Sequence, residues 1–415
     1  MEGISTNSNT SLSDIDLSGE KAAASKITKA YELYASGEIQ EAVNHLEANV
    51  DVSNNSYVQV LLGNCYQKLG QKDRAMEFWK RATEISPLEY AAYINIGNEY
   101  YAEGRIHKAI YNWHCAGSVC PENSVLNQNL AVAYDKLGYR IKSTKYFEKY
   151  LKYTTNKDAP DYFKIKRSIA NLTAKTEFYL KKSEEYRAEK NLKKVAAAYL
   201  MLISTYANLP NIYTNLANIF VFDKNYEKAL EFYLIAYLNF SYTPNTLMNV
   251  ANMHYLLKNK SYAYCYYKRA SKYIPETHSQ WRLVNEKLSE LSAAKRDTDL
   301  LESHLEKAKE AEEISRFEIA IDEYENYLIL TETQSPEIQQ LIDKYKIFLN
   351  PEPFVVKMLY NQLPELMMAK KLHAAVEVCD RIMTIAESHS KEMIYAMKCK
   401  VECKNVIIAR EQFGA

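Results

Sequence analysis

The sequence predicts an all-α protein built as a solenoid of antiparallel helix pairs. Three observations carry this reading. Only 10 Gly and 10 Pro occur in 415 residues, far too few turn formers for an all-β chain. A set of small, aromatic and proline positions recurs at a spacing of 34 residues from residue 56 onward. The length also exceeds what one compact core usually holds, which leaves several domains or a solenoid.

The repeat is plainest in its first two copies. Residues 56–89 hold Leu62-Gly63, Tyr66, Gly70, Ala75, Trp79, Ala82 and Pro87. Thirty-four residues later stand Ile96-Gly97, Tyr100, Gly104, Ala109, Trp113, Ala116 and Pro121. Small residues at positions 8 and 20 let the two helices of a pair approach closely. Aromatics at positions 11 and 24 fill the space beside them, and Pro at position 32 stops the second helix. These positions resemble the tetratricopeptide repeat (TPR) pattern. The resemblance implies a TPR-type α-solenoid, a right-handed superhelix of helix pairs that binds other proteins.

The same template recurs with variation. Residues 23–55 hold Ala30, Gly37, Ala42 and Leu46. Residues 124–157 hold Leu130-Ala131, Tyr134, Gly138 and Phe147, with Ser143 and Tyr150 in usually small positions. Residues 210–243 hold Leu216-Ala217, Phe220, Ala229, Tyr233 and Ala236. Residues 244–277 hold Val250-Ala251, Ala263, Tyr267, Ala270 and Pro275. Weaker copies start at 176 (Ser183, Tyr186, Tyr199), 301 (Ala308, Ala311, Ala320, Tyr324) and 356 (Leu363, Leu366, Ala375, Cys379). Extra residues precede each weak copy and are expected to lengthen helices or add single ones. Asn350-Pro351-Glu352-Pro353 is the clearest linker, and residues 392–412 read as a terminal helix covering the last apolar face. The expected organisation is a disordered, Ser/Asn/Thr-rich tail over 1–22, repeat blocks over 23–157 and 158–300, and divergent helices with a cap over 301–415.

Positions 6 and 9 of the first helices carry a recurrence that the fold does not need. Position 6 holds Asn95, Asn129, Asn215 and Asn249; position 9 holds Asn64, Asn98, Asn218 and Asn252. Asn is a mediocre helix former, and its amide offers the donor and acceptor that match an extended peptide backbone. The rows resemble the asparagine ladders of the O-linked N-acetylglucosamine transferase superhelix and of kinesin light chain, which implies a groove that holds a peptide. The competing reading is that these amides bond to neighbouring helices and only set the solenoid geometry. On the peptide reading, the amides stay free of strong partners within the chain. The carboxylate clamp of chaperone-adaptor TPR domains is matched by Asn64 and Asn95, but Val125 and Asn129 stand where its cations belong. Capture of heat-shock-protein tails is therefore not expected.

Charge is balanced overall, with 52 Lys and Arg against 52 Asp and Glu, which argues against bulk binding of nucleic acid. It is unevenly spread. Residues 136–194 are basic and 297–325 acidic. Solvated helix faces explain this most simply. Lys181, Lys182, Lys193 and Lys194 are the candidate electrostatic dock for an acidic partner, and self-contact between the two zones is the other functional reading.

Motifs for catalysis are missing: no glycine-rich phosphate loop, HExxH or GxSxG occurs. Cys399 and Cys403, four apart with His389 upstream, are read as apolar packing plus an exposed thiol rather than a metal site. Seven Cys at irregular spacing fit reduced thiols. No apolar run reaches the length of a membrane span. The expectation is a cytoplasmic, non-enzymatic scaffold or adaptor without cofactor or metal. Its partner is a protein or peptide, with no nucleic acid and no membrane insertion. The alternatives are a structural subunit of a large assembly or a chaperone-like protein for secretion or motility components.

Overall fold

Helices and the turns between them account for the described residues of a computed structural model, 21–49, 54–206, 209–240, 243–292 and 298–413, and no strand occurs among these. Residues 1–20 of the expected tail lie outside them. The helices follow the repeat in order: α1 (Lys21–Ser36) with α2 (Ile39–Asn49), α3 (Ser56–Lys68) with α4 (Lys72–Ile85), and α5 (Tyr90–Ala102) with α6 (Ile106–Gly117). Next come α7 (Ser124–Lys136) and α8 (Arg140–Tyr153), α9 (Pro160–Ala188) and α10 (Leu192–Ile203), α11 (Pro210–Phe222) and α12 (Tyr226–Asn239), and α13 (Pro244–Leu256) and α14 (Lys260–Ser271). A single helix follows, α15 (Ser279–Glu290). Then come α16 (Thr298–Glu313) with α17 (Phe317–Thr331), a single α18 (Pro336–Leu349), α19 (Glu352–Met368) with α20 (Leu372–Ile385), and α21 (Lys391–Phe413). The extra residues before 176 lengthen α9 to 29 residues, and those before 301 and 356 supply α15 and α18.

Two compact units are built from these helices. One comprises Met1–Leu130 with Asn350–Ala415, the other Ala131–Leu349. In the first, Arg381 of α20 pairs with Glu122 and donates to the Val119 carbonyl, so the C-terminal helices dock on the loop after α6.

Position 15 tests the register of every repeat. It is the residue that ends the first helix in the left-handed conformation. Gly37, Gly70, Gly104 and Gly138 have φ of 89, 77, 78 and 78°. In the repeats starting at 176, 210, 244, 301 and 356 the same position is Lys190, Lys224, Lys258, Ser315 and Lys370, with φ between 55 and 64°. The turn is thus kept even where the residue must bear the steric cost of a Cβ, about 1 kcal/mol. It places all nine copies, including the three weak ones, on one register.

Within each pair, position 8 of the first helix meets position 24 of the second, and their sizes compensate. A Cβ on Gly63 would lie 2.4 Å from Trp79, and one on Gly97 would lie 2.5 Å from Trp113. Both Trp side chains are fully buried. Where position 24 is the smaller Tyr233 or Tyr267, position 8 is Ala217 or Ala251. In the last pair the order reverses: position 8 is Leu363 and position 24 is Cys379, both fully buried. Close packing tolerates either arrangement as long as the summed volume is kept.

Candidate protein-binding faces

The asparagines at position 9 have a structural task. The aromatic at position 24 is buried yet carries a polar edge that needs an acceptor. Trp79 Nε1 donates to Asn64 Oδ1 at 3.0 Å and Trp113 Nε1 to Asn98 Oδ1 at 3.2 Å. Tyr267 OH donates to Asn252 Oδ1 at 2.6 Å, and Tyr233 OH donates to Asn218 Oδ1. Position 6 of the following repeat completes the arrangement. Asn95 Nδ2 donates to Asn64 Oδ1 at 2.7 Å, and Asn129 Nδ2 to Asn98 Oδ1 at 3.0 Å. The expectation that these amides are free of partners is therefore corrected for Asn64, Asn95, Asn98, Asn129, Asn218 and Asn252. The physical reason is the repeat itself, which sets position 9 beside the polar edge of the position-24 aromatic and, between α3, α5 and α7, brings position 6 of one first helix beside position 9 of the one before it.

Asn215 and Asn249 differ. They are half-buried, and neither has a hydrogen-bond partner among the described residues. Asn218 between them is exposed, and its Nδ2 stays available while its carbonyl accepts from Tyr233. The face of α11 and α13 thus keeps unspent donors and acceptors that α3, α5 and α7 have used on each other.

The basic candidates lie on α9 and α10. Lys181, Lys193 and Lys194 are exposed and Lys182 is half-exposed. Lys182 pairs with Glu185 at 2.8 Å. Lys194 lies 3.3 Å from Glu189 and 5.2 Å from the Tyr186 ring centroid. Two of the four charges are thereby partly neutralised by their own neighbours.

The acidic run is not one solvated face, as its composition suggested. Glu318, Asp322 and Asn326 recur every fourth residue along α17, so one side of that helix is polar. That side is buried against α8, α12 and α14. Lys142 Nζ lies 2.6 Å from Glu318, and Arg316 also 2.6 Å from it, on the other oxygen. Burial works against the charge on Glu318, but these two cations hold its carboxyl below the usual range. One lysine of the basic zone is thus consumed inside the unit.

Arg269 is the centre of this packing. Its guanidinium contacts Asp322 at 2.5 Å and Glu325 at 2.6 Å, and it donates to Asn326 at 3.3 Å and to Tyr237 OH. Tyr266 OH donates to the second Asp322 oxygen at 2.6 Å. Alongside, His304 pairs with Glu323, and its ring meets Tyr262 edge-on with centroids 4.8 Å apart. None of Arg269, Tyr266 or His304 stood out in the sequence as a site. The legible signal was the four-residue spacing of acids on α17, which balanced composition disguised as surface.

His254 stacks on Tyr262 and Tyr266, with centroids 5.0 and 5.4 Å away, and its Nδ1 is buried without a partner. Burial pushes its pKa down to about 4, against a smaller upward pull from Asp322. A depressed histidine stabilises the fold above its unfolded value near 6.5, and that contribution is lost as pH falls toward 4. Unfolding of Ala131–Leu349 by urea is expected to become easier over this window, by on the order of 2–3 kcal/mol when complete. His254→Phe is expected to flatten the dependence; an unchanged pH profile in that variant would place the titration elsewhere.

The C-terminal thiols depart from expectation. Cys399 and Cys403 are buried, not exposed, and Cys403 Sγ donates to Met367 Sδ at 3.1 Å. Burial, with these two thiols nearby, pushes Cys379 up to about 12. Such thiols are inert packing groups.

Comparison with known proteins gives the same repeat. Residues 57–87 match the family model described as tetratricopeptide repeat. Small glutamine-rich tetratricopeptide repeat-containing protein 2 of Mycosarcoma maydis is 31% identical over 72 residues, 17% of this chain and 20% of that protein, so the match spans a fifth of the relative's length. Among solved structures, the P58(IPK) TPR domain aligns at 12% identity over 85% of this chain and 98% of its own, with a TM-score of 0.37. A tetratricopeptide repeat protein from Parabacteroides merdae aligns at 16% identity over 66% of this chain and 99% of its own, with a TM-score of 0.30. No helix among the described residues is long and apolar enough to cross a membrane. Residues 57–87 thus match a tetratricopeptide repeat, and nine left-handed turns at the same repeat position carry its helix-pair geometry through an all-α solenoid fold.

Proposed function

We propose that this protein is an interaction scaffold that holds an extended segment of a protein partner along the face of α11 and α13. The observation that carries the reading is the unspent amides of Asn215 and Asn249, on first helices whose counterparts in the earlier repeats have theirs bonded. Two such amides on consecutive first helices match the alternating N–H and C=O of a peptide backbone and would hold it without reading its side chains. The exposed Lys181 and Lys193 lie earlier in the same unit and favour a segment with acidic residues. For α3, α5 and α7 the bonded asparagines favour a second role, as fixed spacers between successive repeats.

The two roles separate by substitution. Asn215→Ala with Asn249→Ala is expected to abolish retention of peptides on an array that the unaltered protein binds, with little change in stability, because Ala is the better helix former. Asn95→Ala with Asn129→Ala is expected to cost about 1 kcal/mol per lost bond, with peptide retention kept. An array pattern identical for the unaltered chain and the Asn215/Asn249 variant would end the peptide reading.

A further inference from the structure

The first half of α9 is a helix without a core. Thr176 Oγ1 donates to Thr205 Oγ1 at 2.8 Å just past the end of α10, so residues 160–175 run beyond the helix that pairs with α9. Between Tyr162 and Thr176 no residue is buried. A helical stretch of that length is marginal in water when so little of it is packed. Solenoid helices pack on their neighbours, and a stretch that leaves large apolar side chains in water marks an interaction surface.

One side of this stretch has a defined shape. Phe163, Arg167, Ala170, Ala174, Phe178 and Lys181 follow one another at spacings of three or four residues, so they share a side of the helix, and all of them are exposed. The two Phe are each 57% exposed and stand about 22 Å apart along the axis, at about 1.5 Å per residue. The opposite side carries Ile165, Ile169 and Leu172, which are half-buried. The exposed side is thus a saddle, with two alanines in the middle, a ring at each end and a cation one turn after each ring.

Size and charge define what fits. Within this chain a small residue on one helix takes a large ring from the next, as Gly63 takes Trp79 and Gly97 takes Trp113. By the same rule Ala170 and Ala174 take a large apolar side chain. Arg167 and Lys181 form no ion pair among the described residues, and Glu177 is the one acid between Phe163 and Lys181. Over residues 160–182, Lys164, Lys166, Arg167, Lys175, Lys181 and Lys182 stand against Asp161 and Glu177 alone. A second copy of α9 would set that positive excess against itself. We infer that this side of α9 docks an amphipathic helix of an acidic partner protein, which lays a bulky apolar residue between Phe163 and Phe178 and carboxylates on Arg167 and Lys181. Nothing in this docking needs the asparagines of α11 and α13.

The probe is a labelled alanine-based helix of about 20 residues, long enough to span the stripe, with Trp at its centre, Leu one turn to either side and Glu at both ends. A control helix carries Lys in place of Glu. Titrated into the full chain, the acidic probe is expected to bind and to slow amide exchange over residues 163–175, which is fast in the free chain for want of burial. Ala170→Gln with Ala174→Gln fills the saddle with good helix formers and, with helicity unchanged, is expected to weaken binding by about tenfold or more. Arg167→Glu with Lys181→Glu is expected to turn the preference toward the lysine helix. The Asn215/Asn249 variant should bind the acidic probe normally, which separates this side of α9 from the α11–α13 face. Binding by neither helix, or binding indifferent to the two glutamines, would overturn the proposal. So would exchange over 163–175 in the free chain as slow as in α11, or a photo-crosslink from Phe178→benzoylphenylalanine to the chain itself or to a second copy, since the side would then be covered already. Capture of the chain by phosphatidylserine vesicles that Phe163→Ser with Phe178→Ser abolishes would overturn it too, by assigning the side to a lipid surface.

Discussion

Arg269→Met is expected to destabilise Ala131–Leu349 by about 3–5 kcal/mol, the cost of leaving a buried charge without its partner. The guanidinium is 6% exposed and sits between Asp322 and Glu325, which are 7 and 24% exposed. Without it the two carboxylates face each other beside the hydroxyls of Tyr237 and Tyr266, in a site with little water to replace the lost donors. Burial opposes the charge on Glu325, and Arg269 and Lys346 together hold its carboxyl below the ordinary range. Removing Arg269 gives up much of that support. The loss should appear in urea unfolding and as faster amide exchange in α14 and α17, with exchange in α3–α6 unchanged. Arg269→Met combined with Asp322→Asn should recover a large part of it, because the orphaned charge goes too. A loss under about 1 kcal/mol in the single variant would mean that water reaches the site and the network is not dry.

Trp113→Ala is expected to cost the first unit about 3–5 kcal/mol. The indole is fully buried, closes the space left by Gly97, and donates to Asn98, whose carbonyl also accepts from Asn129. Removing it opens a cavity at the pair contact and loosens the link to the next repeat. The reverse substitution, Gly97→Leu, overfills the same space and is expected to cost about 1–3 kcal/mol. Together, Gly97→Leu and Trp113→Ala should be less damaging than the sum, because the chain already uses a large residue at position 8 with a small one at position 24 in Leu363 and Cys379. Strict additivity in that cycle would show that positions 8 and 24 are not packed as a unit.

The solenoid was legible because its determinants are local and repeated. A helix pair needs small residues where its backbones approach, an aromatic beside them and a stop, all within one stretch of 34 residues. Position 15 makes the point for the weak copies. Lys190, Ser315 and Lys370 offer no glycine to mark a turn, yet they stand at the position of Gly70 and Gly104 and take the same left-handed conformation, with φ of 56, 55 and 56°. Asn350-Pro351, read as a linker, is where the second unit ends and the C-terminal part of the first begins.

The asparagine rows were half legible. Their recurrence was plain, but whether an amide faces a peptide or the next repeat depends on a neighbour 31 residues away, as for Asn64 and Asn95. A side chain with both a donor and an acceptor fits either role, so composition could not choose.

What the sequence by itself determined is the repeat: its helices, its turns, its pair contacts and their sizes. What only the tertiary structure decided is where the charges go. Lys142 finds Glu318 across 176 residues of chain, and Arg381 finds Glu122 across 259. Such pairs follow no period, because nothing local distinguishes a lysine that will meet water from one that will meet a carboxylate. The acids of α17 and the cations that reach them from α8 and α14, Lys142 and Arg269, are assigned only when distant helices close and exclude solvent, which makes an unpaired charge costly and a matched one necessary.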